Sequence, residues 1–354
     1  MNQPFRKVAE ALPPLNIPEG NLCRRLLTVR TLASYRRANP LDVASRLWPN
    51  DRALTAVIVT RAASAPAMTS VAGWAQELAH KLVYDAVEAL GAASAAAELM
   101  RSGLLLSWDG GYGTISVPAF VATANGASFV QEGQPIPVKQ FGDTAVSLTP
   151  FKVASISVLT REMLESSNAE RLIGDVLIRS AGLAMDAAFF DANPATAARP
   201  AGIRNGIATL VASTDTDSFG VFAADLSALV GAVGQVGGRG PFAIIGSAGK
   251  IASATVRFVS GNDDIPFYIS GAVGNDLIAV APQAIAGAVD PDPDVQTATA
   301  GSLVMDDTAP ALPDTTQPQK GLFQSETIAI KVRWPVSWAV RDARGVAWLT
   351  PSWK

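Results

Sequence analysis

The sequence predicts a mixed α+β chain, and three features carry that prediction. Val71 to Gly103 and Ser167 to Asn193 repeat apolar residues at helical spacing. Residues 129–152 alternate at period two on either side of Gly142-Asp143. Residues 211–317 interleave helices with short apolar strands, and the tail reads as a β-meander with four of the seven tryptophans in its last 21 residues. No period that would suggest repeats is present.

Length and composition bound the possibilities. A chain of 354 residues with 49% hydrophobic content has material for about two to three cores. Only 17% of its residues are charged, where about 25% is usual. Part of the surface is therefore expected to lie between subunits. One cysteine, Cys23, and one histidine, His80, exclude an intramolecular disulfide and the ordinary clustered zinc sites, so a cytosolic, metal-free and cofactor-free protein is expected. Charges and prolines interrupt the first twenty residues before a signal-peptide core accumulates, and no run of about 20 apolar residues predicts a membrane span. Residues 1–61 hold ten Lys/Arg against four Asp/Glu, while the remainder holds eighteen against twenty-seven. A basic head carrying Arg24, Arg25, Arg30, Arg36 and Arg37 thus precedes an acidic body. Such a head meets nucleic acid, an acidic partner or only solvent.

The elements are read in chain order. In "NLCRRLLTVRTLASYRRA", Leu22, Leu26, Val29 and Ala33 share a helical face, and Pro40 and Pro49 punctuate the next segment. "AASAPA" at 62–67 reads as a linker. A long amphipathic helix then places Trp74, Leu78, Leu82, Ala86 and Leu90 at near i+4 spacing and ends near Gly103. In "FVQEGQPIPVKQFGDTAVSLTPFK", Val138 and Phe141 approach the turn; beyond it Thr144, Val146 and Leu148 alternate with Ala145, Ser147 and Thr149. Pro135 and Pro137 exclude a central strand there. A two-stranded ribbon is marginal in water alone, so this one needs cover from its own domain or from a neighbour.

Ser167 and Glu170 form a capping box for the next helix, whose apolar face is expected at Leu172, Ile173, Val176, Leu177, Ser180, Ala184 and Ala188. That helix stops before Asn193-Pro194, and "PAGIRNGI" is a loop. A helix is expected over Ala224 to Val236, a strand over Phe242 to Ile245, and a helix from Ser247 as its cap. Further strands are expected near Ile265 to Ile269, Leu277 to Ala281, Val295 to Ala300 and Ser302 to Met305.

Motifs with chemistry are scarce. "IIGSAGK" lacks the first glycine and the final Ser or Thr of a phosphate-binding loop. "GRGPFA", Gly238 to Ala243, precedes its strand, so no helix N-terminus is offered to a pyrophosphate. "DPDPD", Asp290 to Asp294, lacks the turn glycine and terminal glutamate of a calcium loop. His80 and Cys23 have no catalytic partners nearby in sequence. The reading is therefore not an enzyme.

The succession itself is more specific. A helical leader precedes "FVQEGQPIPV", the strand "FKVASISVLTRE", a capped helix ending "AMDAAFFDANP", and "RPAGI". From about Val71 onward this order resembles the major capsid proteins of tailed bacteriophages, the Hong Kong 97-type fold shared with encapsulin shells. The match is most specific over Phe129 to Ile203.

The basic helical segment at 1–66 precedes the resemblance and departs from the simplest family members; the resemblance implies an N-terminal arm and helix at 67–124 and an extended hairpin loop at 125–158. It further implies a peripheral domain with a spine helix at 159–210 and 318–354, and an axial domain at 211–317. The ribbon becomes the loop that lies over an adjacent subunit, with Phe129, Glu132, Pro135, Lys139, Phe141 and Asp143 as contact residues. The implied function is a shell of hexamers and pentamers around phage double-stranded DNA, found in the virion and assembled in the host bacterial cytoplasm. Scaffold, portal and decoration proteins are possible partners, and the basic head would face the interior, touching DNA without sequence preference. Trp334 and Trp338 serve either the core or contacts between subunits. Some family members join a loop lysine to an asparagine covalently; here Lys139 has Gln324 and Ser325 opposite it by that resemblance, with Ala329, Ile330 and Val332 where a catalytic glutamate is wanted. An encapsulin-like compartment shell is the near alternative. From a different class, an α/β hydrolase with a noncontiguous site stays open.

Overall fold

The computed structural model describes residues 21–62, 90, 94–108, 113–119, 129–132, 145–162, 169–214, 218–237, 242–257, 265–290, 293–304 and 319–353. The chain opens with helices α1 (Asn21–Arg36), α2 (Pro40–Leu47), α3 (Arg52–Ala62) and α4 (Ala95–Ser102). Strands β1 (Leu104–Leu106), β2 (Ile115–Pro118), β3 (Ala145–Leu148) and β4 (Phe151–Thr160) precede the long helix α5 (Ala169–Phe189). Next come α6 (Ser218–Gly237), β5 (Ala243–Gly246), α7 (Ala248–Arg257), β6 (Phe267–Ile269), β7 (Leu277–Val280) and β8 (Ile285–Val289). The remaining strands are β9 (Asp294–Ala298), β10 (Ser302–Val304), β11 (Gln319–Gly321), β12 (Thr327–Val340) and β13 (Val346–Leu349). This is an α+β architecture. Two compact units are drawn from the ranges Met1–Ala89, Val158–Asp175 and Val295–Ile330, and from Leu90–Ser157, Val176–Asp294 and Lys331–Lys354.

In the first unit, α1 to α3 pack on one another through the face read from sequence: Leu22, Leu26, Val29 and Ala33 are buried, with Leu27 and Leu32 beside them. Thr28 and Thr31 are buried too, and each hydroxyl donates to a carbonyl four residues back, Arg24 O and Leu27 O. Pro40 occupies the first turn of α2, where its missing N–H costs nothing, and the Asn39 side chain accepts from Leu41 N at 3.0 Å. The Asp51 carboxylate accepts from Leu54 N at the start of α3. Ser34 of α1 meets Thr297 of β9 at 2.9 Å between hydroxyls.

In the second unit one sheet runs β1, β8, β12, β4. β1 is parallel to β8, and β12 is antiparallel to it, with Val336 opposite Val289 and Val340 opposite Ile285. Helix α4 lies close against β8 because Gly287 has no side chain: a Cβ there would fall 2.7 Å from Met100 Sδ. The second sheet runs β13, β7, β5, β6, and α6 covers it. Phe222, Leu226, Leu229 and Val233 of α6 close a core with Ile244, Leu277, Ala279, Ala347, Leu349 and Trp353. Trp353 meets Phe222 edge-on at 5.1 Å.

Three expectations are corrected and one is extended. The long helix from Val71 does not run unbroken to Gly103: Ser94 is extended, and its hydroxyl accepts from Ala97 N as the cap of a separate helix, α4. Leu90 is helical and buried, whereas Trp74 to Ala86 lie outside the described residues. The arm after Gly142-Asp143 gains a partner not foreseen from sequence, residues 115–118, with Ile115 facing Leu148 and Pro118 facing Ala145; the arm at Val138 to Phe141 lies outside the described residues. Over residues 177–189 of α5 the buried side chains include Leu177, as expected, with Ile178, Ala181, Met185, Asp186 and Phe189, while Ala184 is exposed; the side chains of Leu172, Ile173 and Val176 lie outside the described ones. The tail is no meander, because a turn at Ala343–Gly345, capped by Asp342, separates β12 in the first sheet from β13 in the second.

Trp334 and Trp338 belong to the core. Each is under 5% exposed, and their indole N–H groups donate to Asp290 O and Ala201 O at 2.7 and 2.8 Å. Trp338 also meets Phe189 edge-on.

Candidate functional site

The root of the ribbon is fixed by its inward face. Val117 of β2 and Leu148 of β3 are buried in a cluster with Trp108, Ala286 and Ala288, and Ile115 and Val146 pack against it. The alternate residues Ser116, Ala145 and Ser147 are exposed. This is the period-two pattern of strands with one covered face. At the far end of the pairing, Arg341 Nε donates to Pro118 O at 3.1 Å. Residues 119–144 connect the two strands, and of these 119 and 129–132 are described. Phe129 is wholly exposed, and Val130, Gln131 and Glu132 are exposed beside it. Pro135, Lys139, Phe141 and Asp143 lie outside the described residues.

The basic residues of the head separate into two groups. Arg24, Arg25 and Arg30 are half-buried, whereas Arg36 and Arg37 are exposed at the end of α1, Arg37 with φ of 49°. Arg25 bonds Asp51 at 2.7 Å and lies 5.5 Å from the centre of the Trp48 ring. Its charge is directed into the helical bundle. Arg46 and Arg52 are also exposed on α2 and α3, so among the described residues of the head the exposed basic set is Arg36, Arg37, Arg46 and Arg52. Sequence reading missed the last two because it weighted adjacency in sequence, whereas burial divides the cations.

Buried carboxylates in the second unit brace the fold. Asp186, on α5, accepts from Ser94 Oγ at 2.5 Å, Ala96 N at 3.0 Å and Ser270 Oγ at 2.6 Å. Asp225, on α6, accepts from Ser213 N and Trp353 Nε1. Arg204 joins three elements: its Nε donates to Phe190 O, its terminal nitrogen bonds Asp276 at 2.5 Å, and its guanidinium stacks 5.0 Å from the Trp348 ring centre. Burial pushes the Asp191 carboxyl upward, but hydrogen bonds from Arg199 and Asn193 outweigh it and hold the group below its ordinary value. Asp342 is likewise held low by hydrogen bonds from Arg344, against its own burial.

The motifs weighed for chemistry occupy packing positions where they are described. Lys250 of "IIGSAGK" donates to Trp353 O and lies over the Trp353 ring at 4.8 Å. Cys23 is buried, and Asp294 pairs with Arg333 at 3.0 Å. Among the described residues no three His, Cys, Asp or Glu side chains group as metal ligands, and no helix is long and apolar enough to cross a membrane. His80 lies outside the described residues.

The described elements define an α+β protein. Comparison with known proteins is specific on one point: the chain is 27% identical to the capsid polyprotein of Pseudomonas phage PAJU2, over an alignment of 353 residues covering 90% of this chain and 52% of that protein. The resemblance to phage capsid proteins, carried in the sequence by the order of its elements, thus extends over nearly the whole chain. The chain spans about half the length of this curated relative. No protein-family model matches it. Similar solved structures include one of Microbacterium phage Oxtober96 (TM-score 0.49, 15% identity, 73% of this chain and 91% of that one). Others are a virus-like particle from Pyrococcus furiosus (0.46, 12%, 77% and 99%) and one of Mycobacterium phage Adephagia (0.45, 17%, 72% and 90%).

Proposed function

We propose that this chain is a major capsid protein of the Hong Kong 97-type, which assembles with copies of itself into a closed icosahedral shell around phage double-stranded DNA. The observation that carries the reading is the similarity to a phage capsid polyprotein along 90% of the chain. The ribbon supports it physically. An arm of about 10 residues at about 3.3 Å each reaches roughly 30 Å, and Phe129 stands fully in solvent on it. In the assembled shell Phe129, Glu132, Pro135, Lys139, Phe141 and Asp143 contact a neighbouring subunit.

The exposed cations Arg36, Arg37, Arg46 and Arg52 face the interior, where they meet phosphate without reading sequence. Arg24, Arg25 and Arg30, half-buried on α1, face the same interior, with the Arg25 charge already met by Asp51. The protein acts as a structural element of the virion and catalyses no reaction. Assembly takes place in the host cytoplasm, with scaffold, portal or decoration proteins as further partners.

Sedimentation and electron microscopy of the purified full chain test the proposal. A shell builder gives megadalton particles or capsomers, and a persistent small oligomer refutes it. Because the ribbon root is held by Val117 and Leu148 against Trp108, Ala286 and Ala288, deleting Gln131 to Asp143 is expected to leave a folded, soluble subunit that no longer closes shells.

A further inference from the structure

The Arg204 carbonyl accepts from Ile207 N at 3.1 Å, and between them Gly206 has φ of 74° whereas Asn205 has no positive φ. That combination is a type II turn with Asn205 second and Gly206 third, the position that needs glycine. Both residues are exposed. Among the described residues neither the Asn205 side chain nor the Gly206 N–H has a hydrogen-bond partner.

An asparagine carboxamide is an electrophile close to the backbone nitrogen of the next residue, and that next residue decides whether the two can meet. Three exposed asparagines of the second unit make the comparison. Asn193 precedes Pro194, whose nitrogen has no hydrogen to lose, and its amide is pinned by donating to Asp191 at 2.8 Å. Asn275 precedes Asp276, whose side chain crowds the approach and is itself held by Arg204 and Thr350. Asn205 precedes glycine, so no Cβ opposes the rotation of the peptide plane that brings nitrogen and carboxamide together. The sequence holds one other Asn-Gly pair, Asn125-Gly126, outside the described residues.

We propose that Asn205 is a site of spontaneous deamidation, and that its products loosen the hold of Arg204. The Gly206 nitrogen attacks Asn205 Cγ; the new N–Cγ bond forms, the Cγ–Nδ2 bond breaks, and the Gly206 amide proton passes through water to the departing ammonia. Water then opens the five-membered imide. Attack at Cγ leaves aspartate in the ordinary backbone, and attack at the main-chain carbonyl leaves isoaspartate, with one extra backbone carbon. Either product places a carboxylate in the turn that Arg204 begins. Isoaspartate also lengthens the path from the Arg204 carbonyl to Ile207 N, so their bond is lost. Arg204 reaches Phe190 O, Asp276 and the Trp348 ring, and a displaced turn disturbs all three.

The purified full chain, aged in mildly alkaline buffer and digested beside an unaged sample, provides the test. Peptide mass spectrometry follows the gain of one mass unit, and enzymatic methylation of the new carboxylate counts isoaspartate. Asn205 is expected to convert at least tenfold faster than Asn193 and Asn275 in the same digest, with methylatable isoaspartate in its peptide. Asn205→Gln, whose longer side chain closes its ring far more slowly, should show no such gain at this position. It should also lose less of its melting temperature on ageing than the wild type. Conversion at Asn205 no faster than at Asn193 and Asn275 overturns the proposal, and equal losses of melting temperature in the two aged chains overturn the link to Arg204.

Discussion

Ser270 donates its hydroxyl hydrogen to the buried carboxylate of Asp186 across 2.6 Å, and Ser94 donates to the other oxygen of the same group across 2.5 Å. One side chain on α5 thus ties the start of α4 to the turn at Gly271–Val273, which Ser270 caps. The amides of Ala95 and Ala96 complete its shell, so the negative charge is met by hydroxyls and a helix N-terminus.

Asp186→Ala strands two buried hydroxyls and the first amides of α4 without acceptors. The expected cost is about 3 kcal/mol or more. Asp186→Asn, which keeps one acceptor oxygen but turns an amide group towards donors, should fall between Asp186→Ala and the wild type. Thermal or denaturant unfolding measures both, and a change within about 0.5 kcal/mol for Asp186→Ala would mean that water replaces the carboxylate.

The corrected face of α5 gives a paired test. Leu177 and Ala181 are buried at 2% and 6% exposure, whereas Ala184 is exposed. Ala181→Asp and Leu177→Asp each bury an unpaired charge and should cost about 3 kcal/mol or more. Ala184→Asp should stay within about 0.5 kcal/mol. Equal losses at Ala181 and Ala184 would restore the face expected from sequence.

That face was hard to read for a physical reason. Around α5 the apolar pattern dissolves into alanine, glycine and serine, which carry little hydrophobic signal, and the buried carboxylate of Asp186 reads as a surface residue. By contrast α1 was legible because leucine and valine recur at helical spacing. Strand β8, "IAGAV", escaped notice because all five residues are buried and no alternation marks it. The partner of β3 lies about thirty residues upstream, and local periodicity does not encode pairing at that distance. The strand character of residues 145–148 was legible from their period-two alternation; the division of the basic residues into half-buried and exposed sets depends on tertiary packing.

Acid should loosen the second unit. Asp191 and Asp342 are held below the ordinary carboxylate value of 3.8 in the folded chain, so each contributes stability that is fully present above that value. The contribution is lost as pH falls through their lower folded values. Melting temperature measured from pH 6 downward should therefore decline below about pH 4. Asp191→Asn should show a shallower decline and a lower plateau at neutral pH. An identical slope in that variant would remove Asp191 as a source.

Subunits of the proposed shell are expected to stay covalently separate. An isopeptide link needs an amine, an amide to attack and a base. Lys139 offers the amine, but the segment facing it by resemblance has Gln324 and Ser325 in place of asparagine. Ser325 is already engaged: its hydroxyl donates to Gly321 O at 3.0 Å and lies 2.8 Å from Thr327 Oγ1. Where a catalytic glutamate would deprotonate the lysine, Ala329, Ile330 and Val332 are buried in β12 at 5%, 0% and 3% exposure. A lysine with its ordinary pKa of about 10.4 stays protonated at neutral pH without such a base and is a poor nucleophile. Particles boiled in detergent should consequently run as one band near 36.8 kDa, and Lys139→Ala should leave that pattern unchanged. A ladder of higher bands that vanishes in Lys139→Ala would show that another carboxamide and base assemble around this lysine in the shell.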